Sequence, residues 1–313
     1  MGETSDPLET VPPRADRVER VPLGLRWIND AFEVSPIVGG FGMLLADMTN
    51  AKAALRILRD GKVPATMTHL IVRAAALALA RNPQCHRIVG NYRRVFPANV
   101  DIGLSMVGQT TYAPVVVLPA ADRKPLSVLV PEIIAAVDVA ADREMRDLEQ
   151  MRRQFWLIPF GFMRRFILRM LRKSIWFRRK VAGTFQVSTV PGVDAFGSLL
   201  FYASCGLTTG SVRDRVVAVD GQAVVRPTMW LTLAGDHAAM DGVSGATLIV
   251  AIKDALEGDD LVKEAREACE ERRARTNGAP AAAALPAANQ PEDAKSPRAA
   301  APNAPLERAG GRT

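Results

Sequence analysis

Cysteine, histidine and tyrosine each occur only three times in this 313-residue chain, and aromatic residues make up 6% of it. Cys85, Cys205 and Cys269 lie far apart, with no Cys-x-x-Cys pair and no even-numbered framework. That scarcity excludes a disulfide-built scaffold and points to a reduced, cytoplasmic-type compartment. Three scattered histidines and no Cys/His cluster offer no ligand set, so no metal site is expected. Uninterrupted apolar runs are missing as well. The uncharged stretch from Ile102 to Ala121 is cut by Gly103, Gly108, Pro114 and Pro119, which suits strands and turns better than a membrane-spanning helix. The opening residues, MGETSDPLETVPPRADRVER, lack a basic-then-apolar pattern, so no signal peptide is expected.

What is present reads as one folded unit with polar ends. Residues 1–21 are polar and proline-containing, a flexible leader, and residues 273–313 form an Ala/Pro-rich tail that cannot bury a core. Between them, residues 22–272 alternate strand and helix patterns. IVGGFGMLLADM suits a strand and NAKAALRILRDG a helix ending at Gly61. HLIVRAAALALARN is apolar on nearly every side, hence buried, with Thr66 or Thr68 as its cap and Asn82-Pro83 as its stop. NVDIGLSMVG and YAPVVVLPA read as buried strands, and PLSVLVPEIIAAVDVAADREMRDL as a helix with Pro131 as a break or first-turn residue. GTFQVSTV, GSLLFYAS and DRVVAVDGQAVVRPTMWLTLAG supply further strands, with a hairpin turn at Asp220-Gly221, before a final helix from Val243. The expected architecture is a single α/β domain with a mixed sheet flanked by helices.

One short stretch carries chemistry. In LAGDHAAMDGVSG a strand ends in His237, and Asp241-Gly242 follows four residues on, before a helix. A neutral imidazole held at such a corner suits proton removal from a thiol or hydroxyl. Asp241 would cap the helix, and Gly242 would supply a backbone conformation that a side chain forbids. Taken alone, these residues equally fit an ordinary turn histidine with an aspartate cap.

Four blocks in order resolve that ambiguity. DHAAMDG, THLIVRAAALALARNPQC, NVDIGLSMVGQTTYAPVVVLPAADRKPLSVLVPEI and GTFQVSTVPG together resemble the catalytic domain of the dihydrolipoamide acyltransferases of 2-oxo acid dehydrogenase complexes. They also resemble the related chloramphenicol acetyltransferases. The resemblance covers about residues 35–257 and implies the chloramphenicol acetyltransferase-like fold. It implies direct transfer of an acyl group between a thioester and an acceptor thiol or hydroxyl. His237 would be the general base, Ser188 the oxyanion donor and Asp241 an architectural member of the catalytic set. No permanently bound cofactor is implied; coenzyme A or another acyl-thioester would be a cosubstrate, with a small-molecule or carrier acceptor. The family's site, formed by the histidine of one subunit and the serine of its neighbour, implies a homotrimer. Departures are Ala238, where the large complexes carry Arg, and Pro191 in STVPG; both resemble the chloramphenicol type. No lipoyl domain is expected before the core, so a lipoyl or carrier thiol would come in trans.

Acidic residues are absent between Arg152 and Lys180, where eight Arg and two Lys give +10; with +7 for the whole chain, the remainder is −3. The basic excess therefore sits in one segment, which argues against a nucleic-acid-binding surface spread over the fold. The segment MRRQFWLIPFGFMRRFILRMLRKSIWFRRK reads as a helical insertion over 152–180. It suits a helix lying in an anionic membrane interface, through Trp156, Phe162, Arg165, Phe166, Arg169, Arg172 and Trp176. That would make a cytoplasmic protein peripherally membrane-associated. A helix packed on the core or on another subunit fits the same pattern, as does a basic tunnel for an acidic acyl donor. A non-catalytic member of the fold, serving as a membrane-surface or complex-assembly module, is the alternative to an enzyme.

Overall fold

A computed structural model of the chain describes residues 15–20, 39–90, 92–106, 114–157, 160–197 and 202–278, with the side chains of 141–145, 147–157, 164–165 and 276–278 outside that description. The tail beyond 278 and most of the leader thus lie outside the described residues. In chain order the strands are β1 (Arg17–Arg20), β2 (Gly39–Asp47), β3 (Ile88–Gly90), β4 (Arg93–Phe96), β5 (Ile102–Ser105), β6 (Val115–Leu118), β7 (Phe185–Thr189), β8 (Cys205–Thr209), β9 (Arg213–Val219) and β10 (Gln222–Asp236). The helices are α1 (Thr49–Asp60), α2 (Met67–Arg81), α3 (Leu126–Leu157), α4 (Gly161–Lys173), α5 (Ile175–Ala182), α6 (Gly242–Glu257) and α7 (Asp260–Gly278).

Seven strands build one mixed sheet in the order β2-β10-β8-β7-β5-β6, with β9 paired to the first half of β10. β5, β7 and β8 are parallel to one another and every other pairing is antiparallel. The β9–β10 hairpin turns where expected: Asp220 and Gly221 take φ of 50° and 77°, the paired left-handed conformation of a two-residue turn. Alternation along the strands sends Leu104, Val187, Leu207, Leu231 and Leu233 into the core beneath α1, α2 and α6. Ser105, Gln186, Ser188, Thr208 and Thr232 consequently fall on the opposite face. A smaller sheet, β1-β4-β3, stands beside the large one.

α2 is buried on nearly all sides, capped by Thr66 and closed at Asn82. α1 ends near Gly61 for a reason other than turn conformation. Lys62 takes the left-handed φ of 60°, whereas a Cβ at Gly61 would lie 2.3 Å from Cys269 Sγ on α7.

Four expectations need correction. Part of the leader is structured, because β1 pairs with β4 in register from Arg17–Phe96 to Arg20–Arg93. Pro131 neither breaks α3 nor starts it; the helix runs through it. Near the helix start it removes one backbone hydrogen bond, and burial of Leu126, Leu129, Val130 and Ile133 holds the turn. The strand expected at GSLLFYAS falls largely on residues 198–201, outside the described residues; a strand not expected from the sequence follows at Cys205–Thr209. All five of its residues are buried in mid-sheet. The helix from Val243 is not the last, since α7 follows and packs on α1. The segment 152–180 is helical but divided, into the end of α3, then α4, then α5.

Candidate functional site

The long strand β10 delivers His237 to the sheet's edge. Asp236, its last residue, holds the following turn from both ends: its carbonyl accepts from Ala239 N and Met240 N at 2.9 Å each, and its Oδ1 accepts from Ala238 N at 2.9 Å. Its own N–H donates to Ser204 O at 2.8 Å. Met240 tucks under the corner with its Sδ 3.6 Å from Cys205 Sγ, and a Cβ at Gly235 would lie 2.3 Å from Met240 Cε. His237 therefore projects from a fixed corner, exposed to solvent in the single chain.

Asp241 is the N-cap of α6, its Oδ1 accepting from Ser244 N at 2.8 Å. Arg87 Nη2 donates to Ser244 Oγ at 2.9 Å and stands 3.6 Å from Asp241 Oδ2. The Ser244 hydrogen bonds and the Arg87 guanidinium hold this carboxyl below the usual carboxylate range. Its work is architectural. Asp241→Ala is expected to lower stability by about 1 kcal/mol in denaturant unfolding, while Asp241→Asn, which keeps an acceptor for Ser244, retains most of it. The conformational reason expected for Gly242 is absent: its φ is not left-handed, and a Cβ there would meet nothing within 4 Å.

Ser188 sits half-buried in β7, paired with Ser105 on one side and Thr208 on the other. Thr208 in turn pairs with Thr232, so four hydroxyl residues cross the sheet in a row on the face away from the core. Gln186 Nε2 donates to Ser105 Oγ, and Thr232 Oγ1 is buried with no hydrogen-bond partner among the described residues. The register also measures the distance to the histidine. Thr232 is two strands from Ser188, about 10 Å, and Asp236 is a further four residues along β10, about 13 Å. Within one chain His237 and Ser188 thus stand at opposite ends of the sheet, roughly 15 Å apart or more.

The candidate set read from the sequence misses three supporting residues, two of which, Arg87 and Arg178, have no local signature. Besides Arg87 and Asp236, Arg178 is buried and fully engaged, donating from Nε to Tyr202 O at 2.7 Å, from Nη1 to Val89 O at 2.6 Å and from Nη2 to Ser204 Oγ at 2.6 Å. Burial lowers its pKa. Ser204 carries the link onward to Asp236, so this one charge of the basic segment supports the histidine's corner from inside the fold. Burial pushes the Cys205 thiol up strongly, which removes it as a nucleophile. Among the described residues no group of three His, Cys, Asp or Glu could hold a metal. No described helix is long and apolar enough to cross a membrane. Of the residues expected at a lipid surface, Phe162, Phe166, Arg169, Arg172 and Trp176 are exposed, whereas the side chains of Trp156 and Arg165 lie outside the described residues.

Comparison with known proteins bears on this geometry. Residues 181–262 match the family model of the 2-oxoacid dehydrogenases acyltransferase catalytic domain, a stretch containing both Ser188 and His237. A dihydrolipoyllysine-residue acetyltransferase component of the Arabidopsis thaliana pyruvate dehydrogenase complex is 31% identical over 202 residues, 61% of this chain and 31% of the relative. The succinyltransferase component of the Pseudomonas aeruginosa 2-oxoglutarate dehydrogenase complex is 41% identical over 81 residues, 24% of this chain and 19% of the relative. The chain therefore spans less than a third of either relative. Among solved structures, a probable dihydrolipoamide acetyltransferase from Listeria monocytogenes superposes with a TM-score of 0.55 at 20% identity, over 76% of this chain and 93% of that one. The cubic core of a pyruvate dehydrogenase complex gives 0.53 at 18% identity, over 82% and 99%. The chain has the fold of these acyltransferase cores, and the expected α/β mixed-sheet architecture is borne out.

Proposed function

With the resemblance to the 2-oxoacid dehydrogenase acyltransferase domain as premise, we propose that this chain transfers an acyl group between a thioester and an acceptor thiol or hydroxyl. His237 takes the acceptor's proton as its sulfur or oxygen attacks the thioester carbonyl. The tetrahedral oxyanion that forms accepts a hydrogen bond from Ser188, a contribution of about 3 kcal/mol for one well-aimed donor. Collapse of the intermediate breaks the carbon–sulfur bond, and the departing thiolate takes the proton back from the imidazolium. The thioester is an acyl-coenzyme A, or an acylated lipoyl or carrier thiol supplied in trans, and acts as substrate rather than resident cofactor.

One observation carries this reading. Both chemical residues lie inside the family-matched segment, yet at opposite ends of one sheet, with His237 exposed in the single chain. A second copy bringing its serine face to the histidine corner completes the site, which makes a homo-oligomer, a trimer by resemblance, part of the mechanism. The non-catalytic alternative draws support from Phe41 and Met43, 62% and 55% exposed on the edge strand β2, since an assembly surface would use them.

Offering the purified protein a panel of acyl-coenzyme A species with thiol and hydroxyl acceptors, read by mass spectrometry, separates the two. Consumption of one class of acyl-thioester by the wild type, lost in His237→Ala, is the expected result. Equal turnover by both proteins overturns the role of His237, and no turnover across the panel favours the assembly module.

A further inference from the structure

The basic segment divides into two helices with different duties. α5 belongs to the fold: Arg178 is buried, Arg179 pairs with Asp16 and Asp101, and Phe177 meets Tyr202 edge-on with ring centroids 5.4 Å apart. α4 turns only a narrow side inward, with Ile167 and Leu171 half-buried one turn apart. Its other large apolar side chains face water, Phe162 at 70%, Phe166 at 63% and Met170 at 53% exposure. Spaced at i, i+4 and i+8, these three form a stripe about 12 Å long. Arg169, Arg172 and Lys173 are exposed on the same helix, and Trp176, at 71%, stands at the corner where α5 begins. Beside that corner an open groove of about 480 Å³ is lined by Arg93, Trp176, Arg179 and Lys180, by the apolar Val18, Val95 and Ile175, and by Asp16, whose carboxylate is paired with Arg179; Lys180 Nζ lies 5.2 Å from the Trp176 ring centroid.

The charge of this shoulder selects its partner. A second copy laid on the same surface would set the exposed Arg169, Arg172, Lys173 and Lys180 of one chain against the same four cations of the other, a like-charge contact with no exposed acid on α4 to offset it. A polyanion with no apolar body would meet the cations and leave the Phe–Phe–Met stripe in water. An anionic bilayer satisfies both.

We propose that α4 and the α4–α5 corner dock on an anionic lipid surface. α4 lies along the interface with Phe162, Phe166 and Met170 at the boundary of headgroups and acyl chains, and Arg169, Arg172 and Lys173 meet the phosphates. Trp176 sits at headgroup depth, and Arg93 and Lys180 flank a groove that receives a headgroup phosphate. The inference rests on this surface alone and is independent of the acyl-transfer reading.

Cosedimentation of the full-length chain with vesicles tests it, using phosphatidylcholine alone, phosphatidylcholine mixed with phosphatidylglycerol, and an RNA and a duplex DNA as competing probes. The expected result is binding to the anionic vesicles at least about a hundredfold tighter than to the neutral ones, weakened by salt. Phe162→Ser combined with Phe166→Ser should lower that affinity at least about tenfold with unchanged melting temperature and unchanged oligomer mass. Absence of binding to anionic vesicles, or equal binding by the double variant, overturns the proposal. So does capture of nucleic acid without vesicle binding, or dissociation of an oligomer by the double variant, which would assign the stripe to a subunit contact. Acyl transfer assayed without lipid reports separately on the catalytic reading.

Discussion

Two inactive variants should restore activity when mixed. His237→Ala is expected to lower turnover by about 10²- to 10⁴-fold through loss of the general base, and Ser188→Ala by about 10²- to 10³-fold through loss of the oxyanion donor. Neither defect can be repaired inside its own chain, because the sheet register holds the two positions at opposite ends of β7 and β10. If the site is built across a subunit boundary, a coassembled mixture contains boundaries at which an intact histidine meets an intact serine. Random association in equal proportion makes about one boundary in four competent, so the mixture should recover about a quarter of wild-type activity. The measurement is turnover after co-refolding or coexpression, set against each variant alone and against the two mixed without subunit exchange. A coassembled mixture no more active than its components, at confirmed mixed stoichiometry, would place both residues in separate or irrelevant sites.

The parts of the fold that were legible in the sequence are those whose local chemistry agrees with their final environment. α2 is apolar around its circumference and is buried around its circumference, and Asp220-Gly221 meets the left-handed turn its residues favour. β8 left no mark in the sequence because CGLTT is a central strand with Gly206, Thr208 and Thr209 in it; it lies between β7 and β10, fully buried, without any apolar alternation to announce it. β1 was unreadable for the opposite reason. RVER has four exposed residues, and its order comes from pairing with β4 and from Arg17 stacking 4.4 Å over the Phe96 ring, contacts remote in sequence. α7 likewise acquires its meaning only against α1, where Cys269 fits the space that Gly61 leaves open.

The site divides in the same way. His237 and Asp241 share one short stretch, so their spacing could suggest a corner and a cap, and Asp241 does cap α6. Arg87 reaches that cap from 154 positions away in the chain, and Arg178 reaches the corner through Ser204; neither distance leaves a local trace. Gly242 shows the limit of motif reasoning at a single position. A glycine beside an aspartate invites a conformational explanation, yet its backbone is ordinary and its surroundings in the chain are open.

Acid should weaken this fold well before its carboxylates protonate, and one histidine should account for most of the loss. His86 is fully enclosed behind the short turn Pro83–Cys85, its Nε2 buried with no hydrogen-bond partner among the described residues. Burial pushes its pKa down to about 4, with the Arg179 guanidinium adding to the shift and Asp16 opposing it. The unfolded chain, with the ordinary histidine value near 6.5, therefore binds the extra proton between about pH 6.5 and 4, while the folded chain does not. Stability is fully present above pH 6.5, falls as pH drops through that window and levels below it. At about 1.4 kcal/mol per pH unit the full loss is about 3 kcal/mol. His69, also lowered by burial, titrates in the same direction. Denaturant midpoints measured at pH 7 and pH 5 should differ by the equivalent of about 2 kcal/mol in the wild type and by clearly less in His86→Gln, whose side chain carries no proton to gain. Because the comparison is of slopes rather than absolute stabilities, it survives any packing loss in the variant. Parallel pH profiles for the two proteins would mean that the folded chain accommodates a charged His86, and that the enclosure around Pro83–Cys85 opens to water.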